Sequence, residues 1–210
     1  MKPKLKLCGN RSCDDWKLVR ESDANYAGFI FANSPRRVEN NQVAKWLAEY
    51  PSNGMKIVAV FVNPDLEEIA DTVSTVPIDI IQLHGNENAP FATKIKQMTG
   101  KEIWKVIHHC NAAKEEMIAF AGIADGYVID TKLPGQWGGT GKKFDWESIP
   151  SYKEVANEQG VPLFVAGGIN DSNVTELLSY QPDGIDLSSG IELNGGKNRD
   201  KIEKLQERLC

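Results

Sequence analysis

The sequence of 210 residues predicts an α/β fold, a (β/α)8 barrel in a single domain over residues 1–210. Three observations carry that expectation. Short apolar runs recur eight times, mixed stretches with helical spacing separate them, and no low-complexity linker interrupts the series. One strand and one helix then come every ~26 residues, at the compact end of what a closed barrel needs.

The runs, in order, are Leu5–Cys8, Ala27–Phe31, Ile57–Val62 and Ile78–Leu83, then Ile103–Ile107, Gly126–Ile129, Pro162–Val165 and Gly184–Leu187. Each is brief, and most are rich in β-branched residues, as expected of parallel strands covered on both faces. Between them, Asp65–Ala70 opens behind Pro-Asp with apolar residues at three- to four-residue intervals, which predicts a helix. Asp171–Leu178 carries a capping signal followed by an apolar pair and predicts a helix from Asp171. The stretch from Asp200 to Cys210 places Ile202, Leu205 and Leu209 on one stripe and reads as a last amphipathic helix. The competing architecture is an open doubly wound sheet. Its dinucleotide signature would follow the first strand, where this chain has Cys8-Gly9-Asn10-Arg11-Ser12 and no G-x-G-x-x-G.

Composition narrows the function classes. Hydrophobic residues make up 41% and charged residues 25%, so a core is affordable and disorder is not expected. A net charge of −5 argues against a nucleic-acid partner. No apolar run approaches the roughly 18 residues of a membrane span, and MKPKLKLCGN lacks the apolar core of a signal peptide. A cytoplasmic protein without membrane partners is expected. The cysteines Cys8, Cys13, Cys110 and Cys210 show no paired spacing, and His108, His109 and Cys110 alternate across a strand, so neither disulfides nor a metal site are expected.

In a barrel, chemistry belongs where strands end and the following loops begin. Those positions read Cys8-Gly9, Gln82-Leu83-His84-Gly85, Asp130-Thr131, Ala166-Gly167-Gly168-Ile169 and Asp186-Leu187-Ser188-Ser189-Gly190. The last two follow strands seven and eight, where glycines let backbone N–H groups close on an anion, so Gly167, Gly168, Ser189 and Gly190 are candidate phosphate ligands. The run Gly138–Lys143 fails the Walker pattern, because Lys143 stands where Ser or Thr would hold magnesium; the segment Lys132–Lys143 reads instead as a loop over the barrel mouth. Singly, Cys8 reads equally as core filling, Asp130 as a cap and His84 as a satisfied strand-end polar residue. Together they point into one mouth.

At this point the chain resembles the phosphoribosylanthranilate isomerases. The resemblance runs in order through Lys6-Leu7-Cys8-Gly9, Gly28-Phe29-Ile30-Phe31 with Ser34-Pro35-Arg36, Val60-Phe61-Val62 and Gln82-Leu83-His84-Gly85. It continues with Asp130, Gly138-Gly139-Thr140-Gly141, Phe144-Asp145-Trp146 and Ala166-Gly167-Gly168-Ile169, and closes on Asp186–Glu192 and Gly196-Lys197. It implies a (β/α)8 barrel that converts a small phosphosugar, N-(5-phosphoribosyl)anthranilate, to an aminoketose by an Amadori rearrangement, with no metal or organic cofactor; the residues themselves leave open a monomer or homodimer. Matching the motifs implies Cys8 as general base, Asp130 as general acid, Arg36 (with Arg37 as the adjacent alternative) for the anthranilate carboxylate, and supporting roles for His84 and Asp186. A thiol near pKa 8.5 needs an electropositive setting to act as a base at neutral pH. An Asp that donates a proton there needs its pKa raised by about 3 units. Rival readings are another phosphosugar barrel enzyme or a non-catalytic phosphate-binding protein. Cys8 on the first strand speaks against the histidine-pathway isomerase, which uses an Asp there.

Overall fold

In every barrel strand of this molecule the even-numbered residues turn into the barrel and the odd-numbered ones turn outward beneath the helices. The computed structural model describes residues 2–131 and 143–209. Its strands are β1 (Lys4–Cys8), β2 (Tyr26–Ile30), β3 (Lys56–Phe61), β4 (Ile80–Leu83), β5 (Glu102–His108), β6 (Gly126–Asp130), β7 (Leu163–Val165) and β8 (Gly184–Leu187). All pair in parallel with their sequence neighbours, and β8 returns to β1 through Leu5↔Ile185 and Lys6↔Asp186 to close the barrel. The register matches even with even throughout: Cys8 lies beside Gly28, Val60 beside Gln82, His108 beside Asp130 and Phe164 beside Gly184. One strand residue per step and strict alternation make this parity a consequence of pairing.

Two cores follow. Odd residues such as Leu7, Phe29, Phe61, Ile81, Ile107 and Ile185 join the larger one under the helices. The helices are α1 (Cys13–Arg20), α2 (Asn40–Glu49), α3 (Leu66–Thr75), α4 (Ala89–Thr99), α5 (Ala113–Ala119), α6 (Ile149–Gln159), α7 (Val174–Leu178) and α8 (Arg199–Arg208). Each lays a buried stripe on the strands, Trp16 and Val19 from α1, Ile69 from α3 and Leu205 from α8 among them. The even residues form a smaller interior cluster of Cys8, Val58, Val60, Ile80, Trp104, Val106, Val128, Phe164 and Ala166. Its floor is aromatic: the Trp104 ring lies 4.6 Å from Phe164 and 5.0 Å from Tyr26. Gly126 and Gly184 start their strands beside these rings, and a Cβ at Gly184 would lie 2.2 Å from Phe164.

Lys105 breaks the apolar rule on the outward face. Fully buried, it donates to the Gly85 carbonyl at 2.7 Å and to Glu87 at 3.1 Å, so the charge is partnered where it sits.

Element boundaries depart from the sequence expectation in instructive places. Helix α3 starts as expected, with Asp65 and Glu68 forming a reciprocal capping box at 2.8 and 3.0 Å. Helix α7 starts at Val174 rather than Asp171. The reason is local: Asn170 accepts from the Ser172 N–H, and Asn173 accepts from the Asn170 N–H while its amide donates to the Gly168 carbonyl. Those bonds hold 170–173 as a turn tied to the loop after β7. Strand β4 starts at Ile80, two residues later than its apolar run, because Asp79 pairs with the Ile57 backbone through main chain and side chain. A two-stranded hairpin, β9 (Glu192–Leu193) and β10 (Gly196–Lys197), follows β8 and was not expected. Its turn residues Asn194 and Gly195 have φ of 49° and 85°, the two left-handed positions of a type I′ turn. No helix among the described residues is long and apolar enough to cross a membrane.

Candidate active site

The C-terminal ends of the strands enclose a cavity of about 390 Å³. Every site residue expected from the sequence lines it: Cys8, Arg36, His84, Asp130, Gly167, Gly168, Asp186, Ser189 and Gly190. The expected lid falls at residues 132–142, outside the described residues; Lys143, at its end, is exposed and paired with Glu176 at 2.8 Å.

Cys8 is the last residue of β1 and faces inward one layer above Lys6. Lys6 is wholly buried and donates to Asp186 Oδ2 at 2.7 Å across the β1–β8 seam. Burial disfavours the Lys6 charge, but Asp186 outweighs it and holds the ammonium above its ordinary pKa. The expected electropositive setting of Cys8 is therefore present, supplied by Lys6 and Lys197. Burial nevertheless dominates and pushes the thiol up. The two ammonium groups offset the cost of burial without cancelling it.

Asp130 closes β6 and is buried. Its Oδ1 accepts the Thr131 N–H at 2.7 Å, and its Oδ2 lies 3.4 Å from His84 Nε2, within ion-pair range but without hydrogen-bond geometry. His108, register partner of Asp130, adds a second imidazole 5.4 Å from the His84 ring. Burial and the His84 ring lower the pKa of His108 to about 4. His109 turns the other way and meets the Tyr152 hydroxyl at 2.9 Å, so the adjacent histidines serve opposite faces. Among the described residues no group of three His, Cys, Asp or Glu side chains is placed to hold a metal.

The loops after β7 and β8 bring backbone to the rim. Gly167 has φ +86°, and a Cβ there would lie 2.4 Å from Thr131 Oγ1 and 2.7 Å from Asp130 Oδ1. Only glycine both adopts that backbone and leaves Asp130 its space. After β8, Ser188 precedes a 3-10 turn over Ser189–Ile191. Among the described residues, four side-chain atoms around the mouth find no hydrogen-bond partner: Gln82 Oε1, His84 Nε2, Asp186 Oδ1 and Ser188 Oγ.

Of the two adjacent arginines, only Arg36 reaches the cavity. Arg37 is held by a backbone bridge to Ile30, which turns its side chain outward to Glu39 at 3.3 Å. Arg36 packs over Gly9, where a Cβ would lie 2.6 Å from its Cδ. It donates through Nε and Nη2 to the two oxygens of Glu192 at 2.8 and 2.7 Å. Sequence reasoning assigned no role to Glu192, Lys197 or Lys6. The Asn194-Gly195 pair was the available signal for the hairpin that carries the first two.

The N-(5'phosphoribosyl)anthranilate (PRA) isomerase family model matches residues 5–208. An N-(5'-phosphoribosyl)anthranilate isomerase of Geobacillus thermodenitrificans is 46% identical over 205 residues, covering 98% of this chain and 93% of that one. The crystal structure of phosphoribosyl anthranilate isomerase from Thermotoga maritima superposes with a TM-score of 0.85 at 29% identity, covering 99% of this chain and 98% of the other. A crystal structure of such an isomerase in complex with reduced 1-(o-carboxyphenylamino)-1-deoxyribulose 5-phosphate has a TM-score of 0.82 at 27% identity, with 99% and 98% covered.

Proposed function

The chain belongs to the PRA isomerase family and is an isomerase of tryptophan biosynthesis; on that premise we propose that Cys8 and Asp130 are the base and acid of its Amadori rearrangement. The observation that carries this reading is the convergence of a thiol, a buried carboxyl group and two glycine-lined loops on one cavity, four of whose polar side-chain atoms find no hydrogen-bond partner among the described residues. A ligand that supplies both hydrogen-bond donors and anionic groups satisfies those atoms.

The substrate N-(5-phosphoribosyl)anthranilate is held at its two anionic ends. Its phosphate lies against the backbone N–H groups of Gly167, Gly168, Ser189 and Gly190, where positive partial charge is concentrated. Its carboxylate takes the guanidinium of Arg36. Asp130 donates its proton to the furanose ring oxygen, the C1′–O bond breaks, and the nitrogen lone pair forms the C1′=N iminium. The Cys8 thiolate removes the C2′ proton, and the electron pair moves to give an enolamine. C1′ then gains a proton and the C2′ hydroxyl loses one, leaving 1-(2-carboxyphenylamino)-1-deoxyribulose 5-phosphate and both groups as they began. C2′ is oxidised to a ketone while C1′ is reduced, an internal redox change of the aldose–ketose type. His84 and Asp186 line the reacting sugar, His84 beside the acid and Asp186 beside Lys6. A cytoplasmic location fits a biosynthetic enzyme acting on a phosphorylated intermediate.

Turnover assays on Asp130→Asn, Cys8→Ala and Cys8→Ser test the assignment. Each should lose about 10²–10⁴-fold in kcat, because neither amide, methyl nor hydroxyl replaces the proton-transfer group. Because burial pushes the thiol up, wild-type kcat/KM should still be climbing with pH above neutrality, as the thiolate fraction grows. Near-normal turnover by Cys8→Ser or Asp130→Asn overturns the assignment.

A further inference from the structure

We propose that Glu192 and Lys197 form a positioning clamp that aims Arg36 at the substrate carboxylate and keeps its positive charge available; the proposal rests on the reading of Arg36 given above. The clamp spans the unexpected hairpin: Glu192 on β9 and Lys197 on β10 are direct cross-strand partners. Glu192 Oε1 accepts from Arg36 Nε at 2.8 Å and from Lys197 Nζ at 2.9 Å, and Oε2 accepts from Arg36 Nη2 at 2.7 Å. The guanidinium is thus gripped along its Nε–Nη2 edge. Among the described residues its Nη1 amine makes no hydrogen bond, and that edge remains for a ligand.

Charge arithmetic explains why two residues are needed. Glu192 alone would neutralise Arg36 and cancel the attraction for a carboxylate. Lys197 supplies the second positive charge, so the triad keeps one positive charge in excess. Although burial opposes it, Arg36 and Lys197 together keep Glu192 below the usual carboxylate range. Lys197 has a side chain only 1% exposed, and its ammonium also donates to the Cys8 carbonyl at 2.6 Å and the Ser188 carbonyl at 3.3 Å. Its backbone N–H donates to Asp15 Oδ1 at 2.7 Å, which anchors the hairpin to α1. One buried ammonium therefore ties together the end of β1, the loop after β8 and the arginine clamp. A guanidinium already fixed in its binding rotamer loses less freedom when the substrate arrives.

The test is steady-state kinetics on two substrates, phosphoribosylanthranilate and the analogue built on aniline, which lacks the aromatic carboxylate. Wild type, Arg36→Met, Glu192→Ala and the double variant Glu192→Gln/Lys197→Met are compared. The readout is the ratio of KM for the analogue to KM for the natural substrate. Arg36→Met should collapse that ratio. Glu192→Ala should lower it about tenfold, the worth of one released rotamer-rich side chain. The double variant removes both clamp charges together, so that Lys197 is not left buried without Glu192, and should lower the ratio in the same direction if Glu192→Ala does not fold. A purely structural role predicts a loss of thermal stability with both substrates affected equally. If Arg36→Met collapses the ratio while the Glu192 variants leave it at the wild-type value, the clamp is overturned and the reading of Arg36 stands. A ratio unmoved by any variant overturns both.

Discussion

The floor and the mouth of the barrel both draw on the inward, even-numbered positions of its strands, yet they are opposite in character. At the floor, Tyr26, Trp104 and Phe164 pack ring against ring over Gly126 and Gly184, and the buried Trp104 indole N–H finds no hydrogen-bond partner among the described residues. At the mouth, Cys8, Gln82, His84, Asp130 and Asp186 face a cavity, and among the described residues Gln82, His84 and Asp186 each have an atom with no hydrogen-bond partner. Bulk fills the floor and polarity lines the mouth. The floor stabilises the closed sheet, and the mouth spends some of that stability on desolvated polar groups whose partners arrive with the substrate. Stability and activity should therefore separate along the barrel axis.

Phe164→Ala is the largest break of the floor. It removes a fully buried ring and should cost roughly 3–5 kcal/mol, seen as a melting temperature lowered by roughly 10 °C. The kcat of the fraction that remains folded should stay within a few-fold of wild type, because Phe164 does not line the cavity. A large kcat loss at full folding would dissolve the distinction between the two ends.

Gly167→Ala tests the mouth from its backbone. The residue is at φ +86°, and the new methyl would press on Asp130 Oδ1 and Thr131. Strain of about 1–2 kcal/mol should appear in thermal melts, and kcat should fall about tenfold if moving Asp130 raises the barrier by about 1.4 kcal/mol. Product-analogue titration and kcat measured together check this; an unchanged kcat would place Asp130 outside the reaction.

The smallest effect concerns pH. In the folded protein His108 titrates at about 4, against an ordinary value near 6.5. The unfolded chain then binds its proton first, so this residue stabilises the fold above pH 6.5. That contribution declines as pH falls from about 6.5 to about 4 and levels off below. The His84, Asp130 and Lys105 charges surround the site, so the measurement is a difference. Denaturant midpoints for wild type and His108→Gln should diverge across that window, with the wild type losing more on acidification. Parallel curves would show that His108 is as free to protonate folded as unfolded.

Much of this molecule is written locally in the chain. Runs of four to six residues specify all eight strands, and alternation within a run decides which of its own residues share a face; that Cys8, Asp130 and Asp186 face the same interior as Trp104 and Phe164 is decided by the register between strands. Strand-end position, together with the motifs that match the isomerase family, was enough to pick the residues that line the cavity. Those signals reach only a few residues along the sequence, and what they miss depends on contacts made across it. Lys6 meets Asp186 at a separation of 180 residues, and only because β1 closes on β8. Arg36 meets Glu192 across 156 residues, and Lys197 reaches the Cys8 carbonyl across 189. The backbone bridge from Arg37 to Ile30, invisible in the residue types, is what turns Arg36 inward and Arg37 outward. The balance at Cys8 was likewise settled in space: two lysines near the thiol would lower its pKa in water, but closure of the barrel removes the water, and the cost of burying a thiolate exceeds their attraction.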